Sequence, residues 1–144
     1  MTPDGLGDGT HLTTLLLCDF ANVREGLLNV VSGGITRIMC GDGFPAQLPA
    51  FLAMSVYVDA HRVRVRHEGR VILRHTDTLE EIARMDFEFG GNADLQPGEG
   101  MNMHLTFPLH GIAVKRGGQV DISVAVNGQP SGLLSVWLLD ASAH

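Results

Sequence analysis

Long apolar segments and an excess of positive charge are both missing from this chain of 144 residues. No segment approaches the roughly 20 consecutive apolar residues that a transmembrane helix needs, so we expect a soluble protein without membrane contact. The 16 acidic residues outnumber the 10 basic ones, which gives a formal net charge of −6. That charge repels phosphate over the whole molecule, so we do not expect nucleic acid as a partner.

Cysteine is scarce, with Cys18 and Cys40 alone in the sequence. Cys18 ends an apolar run, where a free thiol acts as a small hydrophobic side chain. Cys40 opens a segment rich in glycine and proline that we interpret as a loop, where it would be the more exposed of the two. We expect two free thiols and therefore a cytoplasmic protein. A chain of this length can bury enough surface to fold without a disulfide, metal or cofactor.

Motifs that carry chemistry are also absent. The sequence has no Gly-x-Ser-x-Gly element, and Ser32-Gly33-Gly34 lies in a turn without the strand-to-helix context of a nucleophile. The glycine pairs Gly90-Gly91 and Gly117-Gly118 precede strands or loops, whereas a phosphate-binding loop needs a helix behind it. We therefore identify no catalytic residue and expect a protein that is not an enzyme.

In place of such motifs, the sequence has segments in which apolar and polar residues alternate. Every other residue is apolar in Met101–Phe107, Val120–Val126 and Ala83–Phe89, and Asn127-Gly128 is a hairpin turn signal. Successive side chains of a strand point to opposite faces, so this pattern predicts strands with one buried face. In front of Ala83, a capping-box pattern from Thr78 favours one short helical turn.

Two other segments are apolar on nearly every residue. His11–Asp19 is apolar on both faces, which predicts a strand in the interior of a sheet or sandwich, and Phe51–Val58 is another near-continuous apolar strand. In all we count eight or nine strands, with turn signals at the spacing of a sandwich. We expect an all-β, two-layer antiparallel β-sandwich over residues 11–140, with tails at 1–10 and 141–144. Immunoglobulin-like, C2-like and jelly-roll strand orders all remain open.

Three stretches of the sequence are distinctive together. The most specific is Leu15–Asn22, and the others are Gly26–Val30 and Gly118–Val124. They resemble a family of short bacterial proteins known only as a domain of unknown function. The resemblance runs from Leu12 to Leu139 and implies a compact β-sandwich with no established reaction, cofactor or ligand. The segment Asp59–His75 departs from the family pattern because it is unusually rich in arginine and histidine.

Arginine alternates with valine at Arg62, Arg64 and Arg66. Even spacing would place the three guanidinium groups on one strand face, where they could contact phosphate or an acidic partner surface. The alternative is a solvated face whose arginines form cross-strand ion pairs. The acidic residues available for such pairs are Glu80, Glu81, Asp86 and Glu88.

Histidine is the remaining candidate for chemistry, with seven residues in the chain. His61 and His67 are six residues apart and could share a strand face, and His75 could reach either across a hairpin. These three residues form the metal hypothesis, although zinc needs about three or four converging ligands. The alternative is that they are surface histidines.

Two classes of function follow from these observations. We expect first a non-catalytic binding or assembly module, which associates with itself or docks a protein partner through an edge strand or the Arg62–Arg66 face. Exposed sheet edges must be covered or paired, and self-association achieves this. The alternative is a metal- or small-ligand-binding sensor or enzyme that uses the His61–His75 region.

Overall fold

The structure is a computed structural model that describes residues 9–90 and 94–141, so most of the predicted tails lie outside the described residues. Eleven β-strands and a 3-10 turn at Ala60–Arg62 form in these ranges. The strands are β1 Thr10–Arg24, β2 Leu27–Gly33, β3 Arg37–Cys40, β4 Ala46–Gln47, β5 Phe51–Val58, β6 Arg66–His75, β7 Glu81–Gly90, β8 Met101–Pro108, β9 Ala113–Val114, β10 Gly118–Val126 and β11 Gln129–Asp140.

Two curled sheets face each other as the layers of a sandwich. Sheet A has the order β2-β1-β5-β8, and sheet B has the order β3-β11-β10-β6-β7. The all-β sandwich prediction is confirmed. Two points need correction. Strand β3 pairs parallel with β11, and the strands number eleven because the two-residue strands β4 and β9 pair with each other, β4 lying within the segment predicted as a loop.

Alternating residues of both sheets build the core between them. The inward residues of β5 and of β10 are almost completely buried, in agreement with the period-two pattern. They are Leu52, Met54, Val56 and Val58 on β5, and Val120, Ile122, Val124 and Val126 on β10. Complete burial of one such side chain stabilises the fold by about 1.5–3 kcal/mol, so these two central strands anchor their sheets.

Strand β1 is internal to sheet A, as its sequence predicts, but it runs further than expected. It pairs with β5 as far as Cys18, opposite Phe51. Beyond Cys18 it pairs only with β2, up to the Arg24–Leu27 pair at the hairpin turn. This second half of β1 and the whole of β2 form a two-stranded hairpin that extends past β5, which we call the arm.

The segment around the arginine-valine alternation is not a strand, so that prediction is wrong. The amide of Arg62 donates to the carbonyl of Asp59, and the amide of Val65 donates to the carbonyl of Arg62. Such i to i−3 hydrogen bonds belong to turns, and they use amides that a strand would offer to its neighbour. A strand would also place the two valines on the same face, but Val63 is buried whereas Val65 is exposed.

The expected helical turn before Ala83 does not form either. Strand β7 begins at Glu81 and continues to Gly90, so the strand prediction for this segment is confirmed. Thr78 does act locally, since its hydroxyl accepts a hydrogen bond from the amide of Glu80. Leu79, however, has φ of +62°, a left-handed conformation that a right-handed helix cannot accommodate.

Gly69 provides a test of the packing between β6 and β7. A Cβ at this position would overlap the ring of Phe87, which is itself held against Phe89 and Phe107. We expect Gly69→Ala to lower the free energy of unfolding by about 1–3 kcal/mol, since overpacking forces neighbouring groups to move. Gly90→Ala is the matched control, because open space surrounds its Cβ position. The control should change stability by less than about 0.5 kcal/mol in urea denaturation; equal effects would contradict this packing.

Candidate functional site

The predicted arginine stripe is not present as a common face. Arg62 lies in the 3-10 turn, Arg64 follows in the turn beyond it, and Arg66 is the first residue of β6. Arg66 Nη1 lies 2.6 Å from Glu88 Oε1, which confirms the alternative of a cross-strand ion pair for this residue. Both side chains are more than half exposed, so the pair contributes about 0–1 kcal/mol. The premise of three guanidinium groups on one strand face is therefore wrong.

The three candidate metal ligands likewise do not converge on one point. His67 and His75 lie on the same strand, eight residues and therefore about 26 Å from each other. His61 is exposed in the turn before that strand. Within residues 9–90 and 94–141, no group of three or more His, Cys, Asp or Glu side chains could hold a metal ion. The hairpin that would bring His75 to the other two does not exist, because β6 runs without interruption.

His67 instead fills a structural role in the core. Its Nε2 donates to the carbonyl of Arg62 at 3.0 Å, and its Nδ1 accepts from Asn127 Nδ2 at 3.0 Å. Asn127 Oδ1 accepts the amide of Glu68, which fixes the orientation of the Asn127 amide and hence the tautomer of the imidazole. The ring stacks on Phe89 at 5.2 Å. Both ring nitrogens are therefore committed to protein groups, and neither is available to a metal.

Both cysteines are free and buried, which confirms the prediction of two unpaired thiols. Cys40 differs from expectation in its environment, since it ends β3 inside the core instead of lying exposed in a loop. Burial raises the pKa of the Cys18 thiol and also that of the Cys40 thiol. A raised pKa leaves less thiolate at neutral pH, so neither thiol is prepared for nucleophilic chemistry.

The outward face of sheet A is the unusual surface of this molecule. Where β1 pairs with β5, and along β5 and β8, the residues that alternate with the core positions carry no formal charge. We call this surface the neutral face. Its residues are His11, Thr14, Leu16, Cys18, Phe51, Ala53, Ser55, Tyr57, Asn102, His104, Thr106 and Pro108. Cys18, Ala53 and Ser55 are buried beneath their neighbours, and the other nine are at least partly exposed.

Aromatic rings occupy both ends of the neutral face. At one end, the ring of Phe51 contacts Phe20 of the arm and His110, each at a centroid distance of 5.1 Å. At the other end, His11 lies against Tyr57 at 5.3 Å. Aromatic side chains at the surface present large contact areas at low entropic cost, and they are enriched in protein interfaces.

Neutral polar groups fill the middle of the face. Ser55 Oγ lies 2.6 Å from His104 Nδ1, and Thr13 Oγ1 donates to Asn102 Oδ1 at 3.1 Å. Serine beside histidine is the arrangement of an activated nucleophile, but Ser55 is only 2% exposed. A substrate could not reach its hydroxyl, so this pair serves to satisfy buried polar groups. Periodicity alone could not predict this pair, since 49 residues separate the two side chains.

The outward face of β6 and β7 in sheet B has the opposite character. Charged residues occupy nearly every outward position of the two strands: Arg66, Glu68, Arg70, Arg74, Glu81, Arg84, Asp86 and Glu88. Arg70 Nε lies 2.7 Å from Asp86 Oδ1, and a hydrogen bond from Arg84 lowers the pKa of Glu81. An open concavity of about 800 Å³ lies over the Arg70–Asp86 pair. This surface is solvated, as expected for one side of an antiparallel sheet.

Comparison with protein families gives one match. The model of a family of unknown function, DUF6941, matches residues 13–136 of the chain. The chain belongs to DUF6941. The resemblance inferred from the sequence is therefore confirmed. Comparison with curated proteins gives no match. Within the described ranges of this DUF6941 protein, no helix has the length and apolar character to cross a membrane.

Solved structures resemble the DUF6941 chain in fold alone. The alkylpurine DNA glycosylase AlkC of Pseudomonas fluorescens, bound to DNA containing an abasic site analog, is 12% identical with a TM-score of 0.51. That match covers 93% of this chain but only 31% of AlkC, so the chain spans about a third of that protein. A β-glucosidase from Listeria innocua is 10% identical with a TM-score of 0.43, over 90% of this chain and 15% of the enzyme.

The buried thiols give a direct test of the site chemistry. We expect Cys18 and Cys40 to react with a disulfide reagent at least about tenfold more slowly in the folded protein than in concentrated guanidinium chloride, because thiolate is the reactive form. The variants Cys18→Ser and Cys40→Ser assign the rates to each residue. A thiol that reacts as fast in the folded protein as in denaturant would contradict the buried position of that residue.

Proposed function

We propose that this DUF6941 protein is a non-catalytic assembly module that associates with copies of itself through the neutral face. The single observation that carries the proposal is the absence of formal charge at all twelve positions that define this face, nine of which are at least partly exposed. Depletion of charged residues, together with aromatic enrichment, is what distinguishes the centre of a protein interface from the remaining surface.

The pattern within sheet A supports the same conclusion. A sheet with one solvated side alternates apolar and polar residues, as β6 and β7 do, whereas strands covered on both sides are apolar almost throughout. Strands β1 and β5 have the second pattern. Sheet B covers their inner side, whereas on the outer side the side chains of sheet A bury only a small cluster that includes Cys18 and Ala53. A second covering layer is therefore the arrangement that the sequence of these strands favours.

A second copy of this chain is the occupant that the charges favour. In a two-fold contact the same surface meets itself, so any charged group near the axis faces a like charge. Like charges placed opposite each other cost several kcal/mol, and the neutral face avoids this cost completely. Within the described residues, charged side chains lie on other surfaces, such as the outward face of β6 and β7.

The proposal has two further parts: the protein does not catalyse a reaction, and it lies in a reducing compartment. The candidate nucleophiles Cys18, Cys40 and Ser55 are all buried, and His67 is committed to structural hydrogen bonds. No cofactor enters this function. Two free thiols in the core support a reducing compartment, and we propose the cytoplasm.

Added charge on the neutral face tests the proposal. The double variant Asn102→Asp, Thr106→Glu adds two negative charges to β8, and Asp at position 102 can still accept the Thr13 hydroxyl. We expect the mass of the assembly in light scattering to fall at micromolar concentration, with at least about tenfold weaker association, since 1.4 kcal/mol corresponds to a factor of ten.

The matched control adds the same two charges to the other outer face. Gln119→Glu and Ser123→Glu lie on the outward side of β10 in sheet B, so this double variant should keep the mass of the wild-type protein. A wild-type protein that sediments as a monomer at high micromolar concentration would overturn the proposal. Equal loss of mass in both double variants would also overturn it, because the effect would then be one of net charge.

A further inference from the structure

Strand β2 is an edge of sheet A without the usual protection against pairing. Natural edge strands carry charged residues, proline or bulges, or they are short or covered. The segment Leu27–Val31 contains neither charge nor proline nor glycine. Leu27 is 66% exposed and Val31 is 53% exposed, so the strand also presents apolar side chains beside its free main-chain groups.

The other sheet edges are protected. Strand β7 carries charged side chains on its outward face, and β3 has only four residues, Arg37–Cys40. Strand β8 ends at Pro108 and faces β7, where the rings of Phe107 and Phe87 lie 5.2 Å apart and join the two layers. Among the described strands of the two main sheets, β2 is thus the edge at which one more strand can add.

The sequence of β2 is complementary to itself in one antiparallel register. Ser32 has φ of +54°, outside strand geometry, so the regular part of the strand is Leu27–Val31 with Asn29 at its centre. A two-fold axis at Asn29 pairs this amide with its copy, Leu28 with Val30, and Leu27 with Val31. Shifting the axis to Val30 would instead place Asn29 against Val31 and Leu28 against Ser32. Only the first register joins apolar with apolar side chains and amide with amide.

We propose that two copies of the chain join by antiparallel pairing of β2 with β2 about Asn29, which makes one hydrogen-bonded sheet of eight strands. The free amides and carbonyls of each β2 would then be paired with those of the other copy. Cross-strand contacts between leucine and valine bury the exposed side chains of the arm. This contact rests on observations separate from those for the neutral face, and it gives each chain a second surface for self-assembly.

Disulfide trapping tests the contact and its register. In the proposed pairing, the Cα atoms of the two Asn29 residues lie about 4.5–5.5 Å apart, within the range that a disulfide bridges. Asn22 pairs with Asn29 inside the arm, and three strand spacings of about 4.8 Å separate it from its copy, or about 14 Å. Under mild oxidation we expect Asn29→Cys to give covalent dimers and Asn22→Cys to give none. The native thiols are buried and do not compete.

An isosteric pair of variants measures the contribution to assembly. Asn29→Asp places two carboxylates about 5 Å apart across the axis, whereas Asn22→Asp places them beyond the Debye length of about 8 Å. We expect the first variant to weaken association at least about tenfold and the second to leave it unchanged. Absence of trapped dimers for Asn29→Cys, or equal trapping at positions 22 and 29, would overturn the edge contact.

The result of disulfide trapping at position 29 should not depend on the neutral face. We expect Asn29→Cys to be trapped equally well when Asn102→Asp and Thr106→Glu are also present. If trapping succeeds while these charges leave the mass unchanged, the edge contact stands and the neutral-face proposal fails. If trapping fails while these charges reduce the mass, the neutral face stands alone. Loss of trapping in the charged background would overturn the edge contact as a separate surface.

Discussion

Burial of the alternating apolar residues between sheets A and B is the constraint from which the other features of this molecule follow. The period of a strand is two residues, so fixing Leu52, Met54 and Val56 in the core fixes which residues of β5 face outward. The register of β5 with β1 and β8 extends that assignment across the sheet. The neutral face therefore exists as a surface because the core on the other side of the same strands aligns them.

The two layers then differ in how their outer sides meet water. Sheet B places ion pairs such as Arg70–Asp86 outward on β6 and β7, where solvent screens them and they add little to stability. Sheet A places neutral hydroxyl, amide, imidazole and aromatic groups outward. A surface of this kind has no formal charge to desolvate or to oppose a close contact, so the asymmetry between the layers favours association at sheet A.

Hydrogen-bonded buried polar groups specify geometry in this protein, whereas Arg62 Nε, His75 Nδ1 and Thr76 Oγ1 are buried without a hydrogen-bond partner in the described part of the chain. His67 is the clearest case, since both ring nitrogens are hydrogen-bonded and the ring is stacked in the core. Through Asn127 and the carbonyl of Arg62, it connects the β10–β11 turn with the segment before β6. The family model places the chain in DUF6941, and the distant likeness to AlkC extends to the fold alone.

The sequence by itself determined the features that depend on local periodicity: the all-β class, the internal position of β1 and the strand over Ala83–Phe89. It also predicted free thiols, because Cys18 ends an apolar run in which a thiol acts as a hydrophobic side chain and needs no disulfide partner. Tertiary structure decided what periodicity does not record, through local turns as well as through hydrogen bonds between distant segments. The Arg62–Arg66 alternation became a turn, Cys40 entered the core by pairing of β3 with β11, and Ser55 met His104. Periodicity records which side of a strand is apolar, whereas strand order and register, which bring side chains together, arise only when the sheets form.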